Sequence, residues 1–156
     1  MDLVSIRIIT GDVARLVDFY ERATKVAATW AGEDFAELRT ASGTLAIGST
    51  RTVPLFAPGS ARPADNRSVI LEFLVDDVDG VHRDLSGRAA DVAGDVAADV
   101  AADVAADVAA DVVVDFVNEP TTMPWGNRSL LVRDPDGNLV NFFTPVTPAA
   151  IAKFAR

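Results

Sequence analysis

The sequence predicts an α+β fold built from two tandem βαβββ modules within a single domain, residues 1–156. Two observations support this prediction. The order strand, helix and three strands occurs twice, and in each copy an aspartate that can cap the helix follows the first strand. Segments also repeat at fixed offsets: "TGDV" at 10–13 aligns with "VDDV" at 75–78, and "SGTLAIGS" at 42–49 with "DGNLVNFF" at 136–143. An internal repeat is stronger evidence for an architecture than any single propensity.

The first module spans residues 3–56. Its opening segment, "VSIRIIT", is rich in β-branched residues and predicts a strand. Asp12 can cap the helix that follows, and the apolar residues of this helix recur on one face: Val13, Leu16, Val17 and Tyr20. Three short apolar segments, "VAATWA", "FAELRT" and "TLAIGS", are separated by glycine-containing turns and predict a meander.

A linker rich in proline, glycine and serine (57–68) leads to the second module, residues 69–145. "VILEFLV" predicts its first strand, and Asp77 can cap the next helix, which has three apolar residues on one face: Val78, Val81 and Leu85. "VDFVNE", "RSLLVR" and "LVNFFT" predict three more strands. The last strand follows Asp134-Pro135-Asp136-Gly137, a strong turn sequence.

Two segments fall outside the repeated plan. Residues 89–112 form a low-complexity insertion in the second module, an Ala-Ala-Asp-Val repeat with six aspartates and no basic residue. The insertion is either an appended helix that binds a partner or a repeat expansion tolerated in a surface loop. The tail, residues 146–156, contains a Thr-Pro pair that favours the start of a C-terminal helix.

Composition excludes several classes of site. The absence of cysteine excludes disulfides, zinc–thiolate sites and a thiol nucleophile, and the single histidine, His82, excludes a multi-histidine metal centre. The net charge of −9 argues against nucleic acid as a partner, although six of those charges lie in the insertion. The N-terminal apolar run is too short for a signal peptide or a membrane span. We therefore expect a cytoplasmic protein with neither nucleic-acid nor membrane partners.

Four segments, "DFYERA", "EFLVDDVDGV", "PWGNRS" and "RDPDGNLVNFF", together with the tandem βαβββ plan, resemble the vicinal oxygen chelate superfamily. This superfamily contains glyoxalases, bleomycin resistance proteins and extradiol dioxygenases. The resemblance covers nearly everything from residue 3 to 145 apart from the insertion. It implies that the modules curl into a curved, half-open barrel whose concave face binds a small molecule, usually within a homodimer.

The resemblance also implies where a metal would be bound. Metal-dependent members take one ligand from the first strand and one from the last strand of each module, usually histidine, glutamine or glutamate. The offsets assign four residues to these positions: Ser5, Ile47, Ile70 and Asn141. A slip of one residue at Ile47 would give Gly48. Aliphatic side chains cannot coordinate a cation, and serine with an amide is a poor donor set. We therefore predict no metal and no cofactor.

Two charged residues are expected on the concave face, because side chains alternate along a strand. Arg7 shares a face with Ser5, and Glu72 shares a face with Ile70. The two charges either position a polar ligand or pair with each other or with solvent. Glu72 is also a weak candidate for a general base.

Aromatic residues complete the predicted pocket. Trp125 either closes one side of a cavity by stacking on a flat ligand or packs in the core, and Trp30 is expected in the core. Phe143 shares a face with Asn141. The predicted ligand pocket therefore consists of eight residues: Ser5, Arg7, Ile47, Ile70, Glu72, Trp125, Asn141 and Phe143.

The sequence favours a metal-free protein of the bleomycin-resistance type that binds a small, partly hydrophobic molecule. An alternative is a lyase, isomerase or oxygenase that uses Glu72 or a metal site not evident from the sequence. A third interpretation is an interaction protein in which the insertion mediates assembly.

Overall fold

A computed structural model describes residues 1–87 and 114–155, so the insertion predicted at 89–112 lies outside the described residues. The chain divides into two compact units. The first unit contains Met1–Val69 and Pro135–Asn138, and the second contains the other described residues. Each unit has its own mixed β-sheet.

The first unit contains a four-stranded sheet in the order β1–β4–β3–β2. Its strands are β1 (Ser5–Thr10), β2 (Thr29–Trp30), β3 (Phe35–Arg39) and β4 (Thr44–Ser49). The pair β1 and β4, at one edge of the sheet, is parallel, and the other two pairs are antiparallel. Helix α1 (Val13–Thr24) follows β1, and a 3-10 helix (Thr50–Leu55) follows β4.

Helix α1 packs against β3 and β4 and covers one face of the first sheet. Asp12 caps α1, since its side chain accepts a hydrogen bond from the backbone N–H of Arg15 at 3.0 Å. The buried face of α1 holds the predicted apolar residues together with two more: Val13, Leu16, Val17, Phe19, Tyr20 and Ala23. Because side chains alternate along a strand, every second residue of the sheet points to the other face, which α1 does not cover.

The second unit contains a five-stranded sheet in the order β5–β9–β8–β6, with β7 also paired to β8. Its strands are β5 (Ile70–Leu74), β6 (Asp115–Phe116), β7 (Thr121–Thr122), β8 (Asn127–Arg133) and β9 (Leu139–Pro145). Helix α2 covers 78–87 of the described residues, and helix α3 is Pro148–Phe154. The α+β class and the tandem βαβββ order are confirmed.

The predicted C-terminal helix is α3. Thr147 is its N-cap, and its hydroxyl accepts a hydrogen bond from the backbone N–H of Ala150. Pro148 occupies the first turn of α3, where a backbone N–H would have no intrahelical acceptor, so proline, which lacks this N–H, is tolerated there. Among the described residues, no helix is long and apolar enough to cross a membrane.

An ion pair in the second unit joins α2 to β8. Arg128 donates two hydrogen bonds to the carboxylate of Asp79, from Nε at 2.7 Å and from Nη2 at 2.6 Å. This bidentate geometry is the strong form of an arginine–carboxylate interaction. The hydrogen bond from Arg128 is the largest cause of a lowered Asp79 pKa, which falls below its ordinary value of 3.8.

We expect this pair to make folding stability depend on acid pH. Because the pKa of Asp79 is lower in the folded state, its contribution is present above the unfolded pKa of 3.8 and is lost as the pH falls through the folded pKa. Asp79→Asn should therefore be less stable than wild type at about pH 6, and the difference should shrink towards about pH 2. Urea unfolding across this range measures it. A stability difference between wild type and Asp79→Asn that does not change with pH would contradict the role of the Asp79–Arg128 pair. So would a pH-dependent effect of Asp79→Asn that persists in an Arg128→Gln background.

Candidate functional site

One face of the second sheet brings together four of the predicted pocket residues. In the parallel pairing of β5 with β9, Ile70 lies opposite Leu139, Glu72 opposite Asn141, and Leu74 opposite Phe143. Residues that lie opposite each other in a sheet point to the same side. Ile70, Glu72, Asn141 and Phe143 are therefore on one face, which we call the open face of the second sheet.

Glu72 and Asn141 form a polar pair in the middle of this open face. Asn141 Nδ2 donates a hydrogen bond to Glu72 Oε1 at 2.9 Å. Within the described residues, Glu72 Oε2 accepts no hydrogen bond, and the buried Oδ1 of Asn141 also has no donor. Ile70 and Leu74, on either side of Glu72 along β5, are each 49% exposed. The face thus presents a hydrogen-bonding carboxylate between two accessible apolar side chains.

Helix α3 covers one end of the open face of the second sheet. The ring of Phe154 packs on the ring of Phe143, with their centroids 5.2 Å apart, and Phe143 is buried as a result. Ser129 lies opposite Phe143 on β8 and is also buried, and its hydroxyl has no hydrogen-bond partner within the described residues. In this arrangement Phe143 is packed beneath α3 and is not an accessible wall of a pocket.

The face of the first sheet that carries Ser5 and Arg7 points away from α1, and we call it the open face of the first sheet. Ile47 is not on this face. The register pairs Arg7 with Ala46 and Ile8 with Ile47, so Ile47 points to the side opposite Arg7. Ile47 is 0% exposed, on the face that packs against α1. Its expected place beside Ser5 in the pocket is therefore wrong, because a shift of one residue in a strand moves a side chain to the other face.

The structure also corrects the repeat offset. Arg7 opposite Ala46 corresponds to Glu72 opposite Asn141, so the last strands of the modules align at an offset of 95 instead of 94. The residue equivalent to Asn141 is therefore Ala46, and neither Ile47 nor Gly48 occupies that position. Alanine cannot coordinate a metal any more than isoleucine can.

Arg7 lies on the open face of the first sheet, close to two aromatic rings. Its guanidinium carbon is 4.9 Å from the ring centroid of Phe35 and 4.9 Å from that of Phe56. Ser5 is exposed two residues earlier on the same face. Sequence reasoning missed both aromatic residues. The alternation of β3 could have indicated Phe35, but no local pattern indicated Phe56.

Neither tryptophan is in the core. Trp125 lies in the turn before β8, where the N–H of Gly126 donates to the carbonyl of Met123 at 2.9 Å, and it is 66% exposed. Trp30 ends the short edge strand β2 and is also exposed. The expectation that Trp30 is a core residue is wrong, because an edge strand leaves its side chains partly uncovered. A pocket-wall role for Trp125 stays a prediction.

The residues present do not fit the metal that the family resemblance implies. The four corresponding positions hold Ser5, Ala46, Ile70 and Asn141, a set with no imidazole and no carboxylate. In residues 1–87 and 114–155, no group of three or more histidine, cysteine, aspartate or glutamate side chains is arranged to hold a metal ion. His82 lies on α2, with its ring centroid 4.7 Å from that of Phe116.

A family model described as the Glyoxalase/Bleomycin resistance protein/Dioxygenase superfamily matches residues 2–142 of the chain. No curated protein sequence matches this chain.

Several solved structures share the fold. A glyoxalase/bleomycin resistance protein/dioxygenase family enzyme from Burkholderia phytofirmans PsJN is 15% identical, with 94% of this chain and 100% of that chain covered and a TM-score of 0.64. A glyoxalase-related enzyme from Fulvimarina pelagi is 15% identical, with coverages of 92% and 88% and a TM-score of 0.61. A protein of unknown function from Agrobacterium tumefaciens is 18% identical, with coverages of 92% and 94% and a TM-score of 0.66. At these identities, the similarity concerns the fold alone.

Proposed function

We propose that this chain, since it belongs to the Glyoxalase/Bleomycin resistance protein/Dioxygenase superfamily, binds a small, partly hydrophobic molecule without using a metal. The binding surface is the open face of the second sheet. The observation that carries the proposal is the hydrogen bond between Asn141 and Glu72, with the accessible apolar side chains of Ile70 and Leu74 on either side of Glu72. Small-molecule sites combine a mostly apolar lining with a few polar groups that orient the ligand.

The Glu72–Asn141 pair indicates the polarity of the ligand. Asn141 Nδ2 holds Glu72 Oε1 and so orients the carboxylate, while Oε2 is left for another donor. A ligand N–H or O–H can donate to Oε2, and an apolar ring can lie over Ile70 or Leu74, which are both accessible. A hydrogen bond to a charged acceptor contributes about 1.5–3 kcal/mol, so this contact should account for a large share of a small molecule's affinity.

A screen of flat aromatic amines and phenols by thermal shift tests the proposal. Each compound is compared with its analogue that lacks the N–H or O–H donor. We expect compounds with a donor to stabilise the wild type and Glu72→Gln to weaken their binding about tenfold, because glutamine removes the charge from the acceptor. Glu37→Gln makes the same change on β3 of the first unit and serves as the matched control that should bind like wild type.

Three results would contradict parts of the proposal. Hits whose affinity does not change in Glu72→Gln or Asn141→Ala would place the site elsewhere. Tightly bound manganese, iron, nickel or zinc in stoichiometric amount in the purified protein would overturn the metal-free part. A hit that wild type converts chemically and Glu72→Gln does not would assign the face to an enzyme with Glu72 as general base.

A further inference from the structure

The guanidinium of Arg7 lies over two aromatic rings on the open face of the first sheet. Phe35 comes from β3 and Phe56 follows the 3-10 helix, and each ring centroid is 4.9 Å from the guanidinium carbon. Aromatic rings attract the flat faces of a guanidinium through cation–π and stacking interactions. These contacts use the π faces of the two rings and leave the N–H donors of the guanidinium for a hydrogen-bonding partner.

Within the described residues, no acidic side chain forms an ion pair with the guanidinium of Arg7. Arg7 lies opposite Ala46 on β4, and Ala46 lies opposite Glu37 on β3. Glu37 is two strands away, about 10 Å, and its Oε2 already accepts hydrogen bonds from Arg39, at 2.6 Å from Nη2 and 3.0 Å from Nε. In residues 1–87 and 114–155, Arg7 makes neither a hydrogen bond nor an ion pair. Its five donors are therefore available to a ligand.

Exposed apolar groups accompany the guanidinium. Phe56 is 69% exposed although it contacts Arg7, and the preceding Leu55 is also strongly exposed. A guanidinium next to accessible apolar side chains suits a ligand that has a carboxylate at one end and an apolar body.

We propose that Arg7, Phe35 and Phe56 form a binding site for the carboxylate of a small amphipathic acid. The two carboxylate oxygens accept a bidentate pair of hydrogen bonds from the edge of the Arg7 guanidinium, and the apolar part of the acid lies against Phe56. A monoanion matches the single positive charge. The proposal uses residues of the first unit alone, so it stands whether or not the function proposed for the second sheet is correct.

Titration with benzoate tests the site, observed by NMR through the Nε–Hε signal of Arg7. We expect a saturable shift with a Kd in the millimolar range. Acetate, which lacks the ring, and benzyl alcohol, which lacks the charge, should each bind more weakly. Arg7→Gln should weaken benzoate binding about tenfold, measured by calorimetry, and Arg7→Lys should weaken it severalfold because lysine has no planar fork. Arg39→Gln removes another arginine of the same sheet, one that is already paired with Glu37, and should bind like wild type.

Phe56→Ala provides a second test that does not depend on the folding of the Arg7 variants, because the Phe56 ring is mostly exposed. It should weaken benzoate binding severalfold and change acetate binding less. The proposal is overturned if benzoate gives no saturable shift, if benzyl alcohol binds as tightly as benzoate, or if Arg39→Gln loses as much affinity as Arg7→Gln. Inorganic phosphate that competes more strongly than benzoate would overturn the carboxylate assignment.

Discussion

Ile47→Ala is expected to lower the free energy of unfolding by about 3 kcal/mol, within the range found when a buried isoleucine is truncated to alanine. Ile47 is fully buried, and its cross-strand neighbours on the face towards α1 are Ala36 on β3 and Ile8 on β1. The truncation removes three side-chain carbons from this layer and leaves a cavity that the two adjacent strands can fill only in part.

Ile70→Ala is the matched control. Both isoleucines lie in strands and both were assigned to the pocket, but Ile70 is 49% exposed. Its truncation should therefore cost less than about 1 kcal/mol, because little buried apolar area is lost. Urea unfolding of both variants measures the two costs. Equal costs would mean that Ile47 is not in the core and that the register of β1 with β4 is not the one described.

Gly126→Ala is expected to destabilise the protein by about 2–4 kcal/mol, through two separate costs. Gly126 has a φ of +91°, which side chains other than glycine rarely adopt, and a Cβ at this position would overlap the hydroxyl oxygen of Thr147. Thr147 caps α3, and its own N–H donates to the carbonyl of Gly126 at 3.2 Å. The new methyl group therefore displaces the start of the helix that covers Phe143.

Gly59→Ala separates the two costs. Gly59 has a φ of +75°, but a Cβ there would meet no atom within 4 Å. This variant should show the backbone cost alone, about 1 kcal/mol. Thermal or urea unfolding of Gly126→Ala and Gly59→Ala measures the stability that each variant loses. If Gly126→Ala were no more destabilising than Gly59→Ala, the close approach of Thr147 to Gly126 would be contradicted.

Much of the fold could be predicted because its signals are local. Asp12 caps α1 as expected, and Thr147 caps α3 immediately before Pro148. These residues act within one turn of their own helix, so the sequence around them carries the necessary information. The alternation of β5 and β9 similarly placed Glu72 and Asn141 on one face, where they are hydrogen-bonded.

The first sheet shows why the rest of the candidate site could not be predicted in the same way. The alignment of "SGTLAIGS" with "DGNLVNFF" was one residue from the alignment that the strand pairing gives, and Ala46 replaces Ile47 as the counterpart of Asn141. Both segments are short and mostly apolar, so neither alignment is excluded by hydrophobicity alone. Because side chains alternate with a period of two, an error of one residue exchanges the core face and the open face.

The sequence by itself determined the α+β class, the tandem βαβββ order, the helix caps and the poor set of metal donors. Each of these depends on residue type and on spacing within one segment. Only the tertiary structure decided that Ile47 belongs to the core, that Phe56 flanks Arg7 and that Phe154 covers Phe143. These contacts join side chains from different elements, and they follow from strand register and from the path of the chain between elements, neither of which a local pattern encodes.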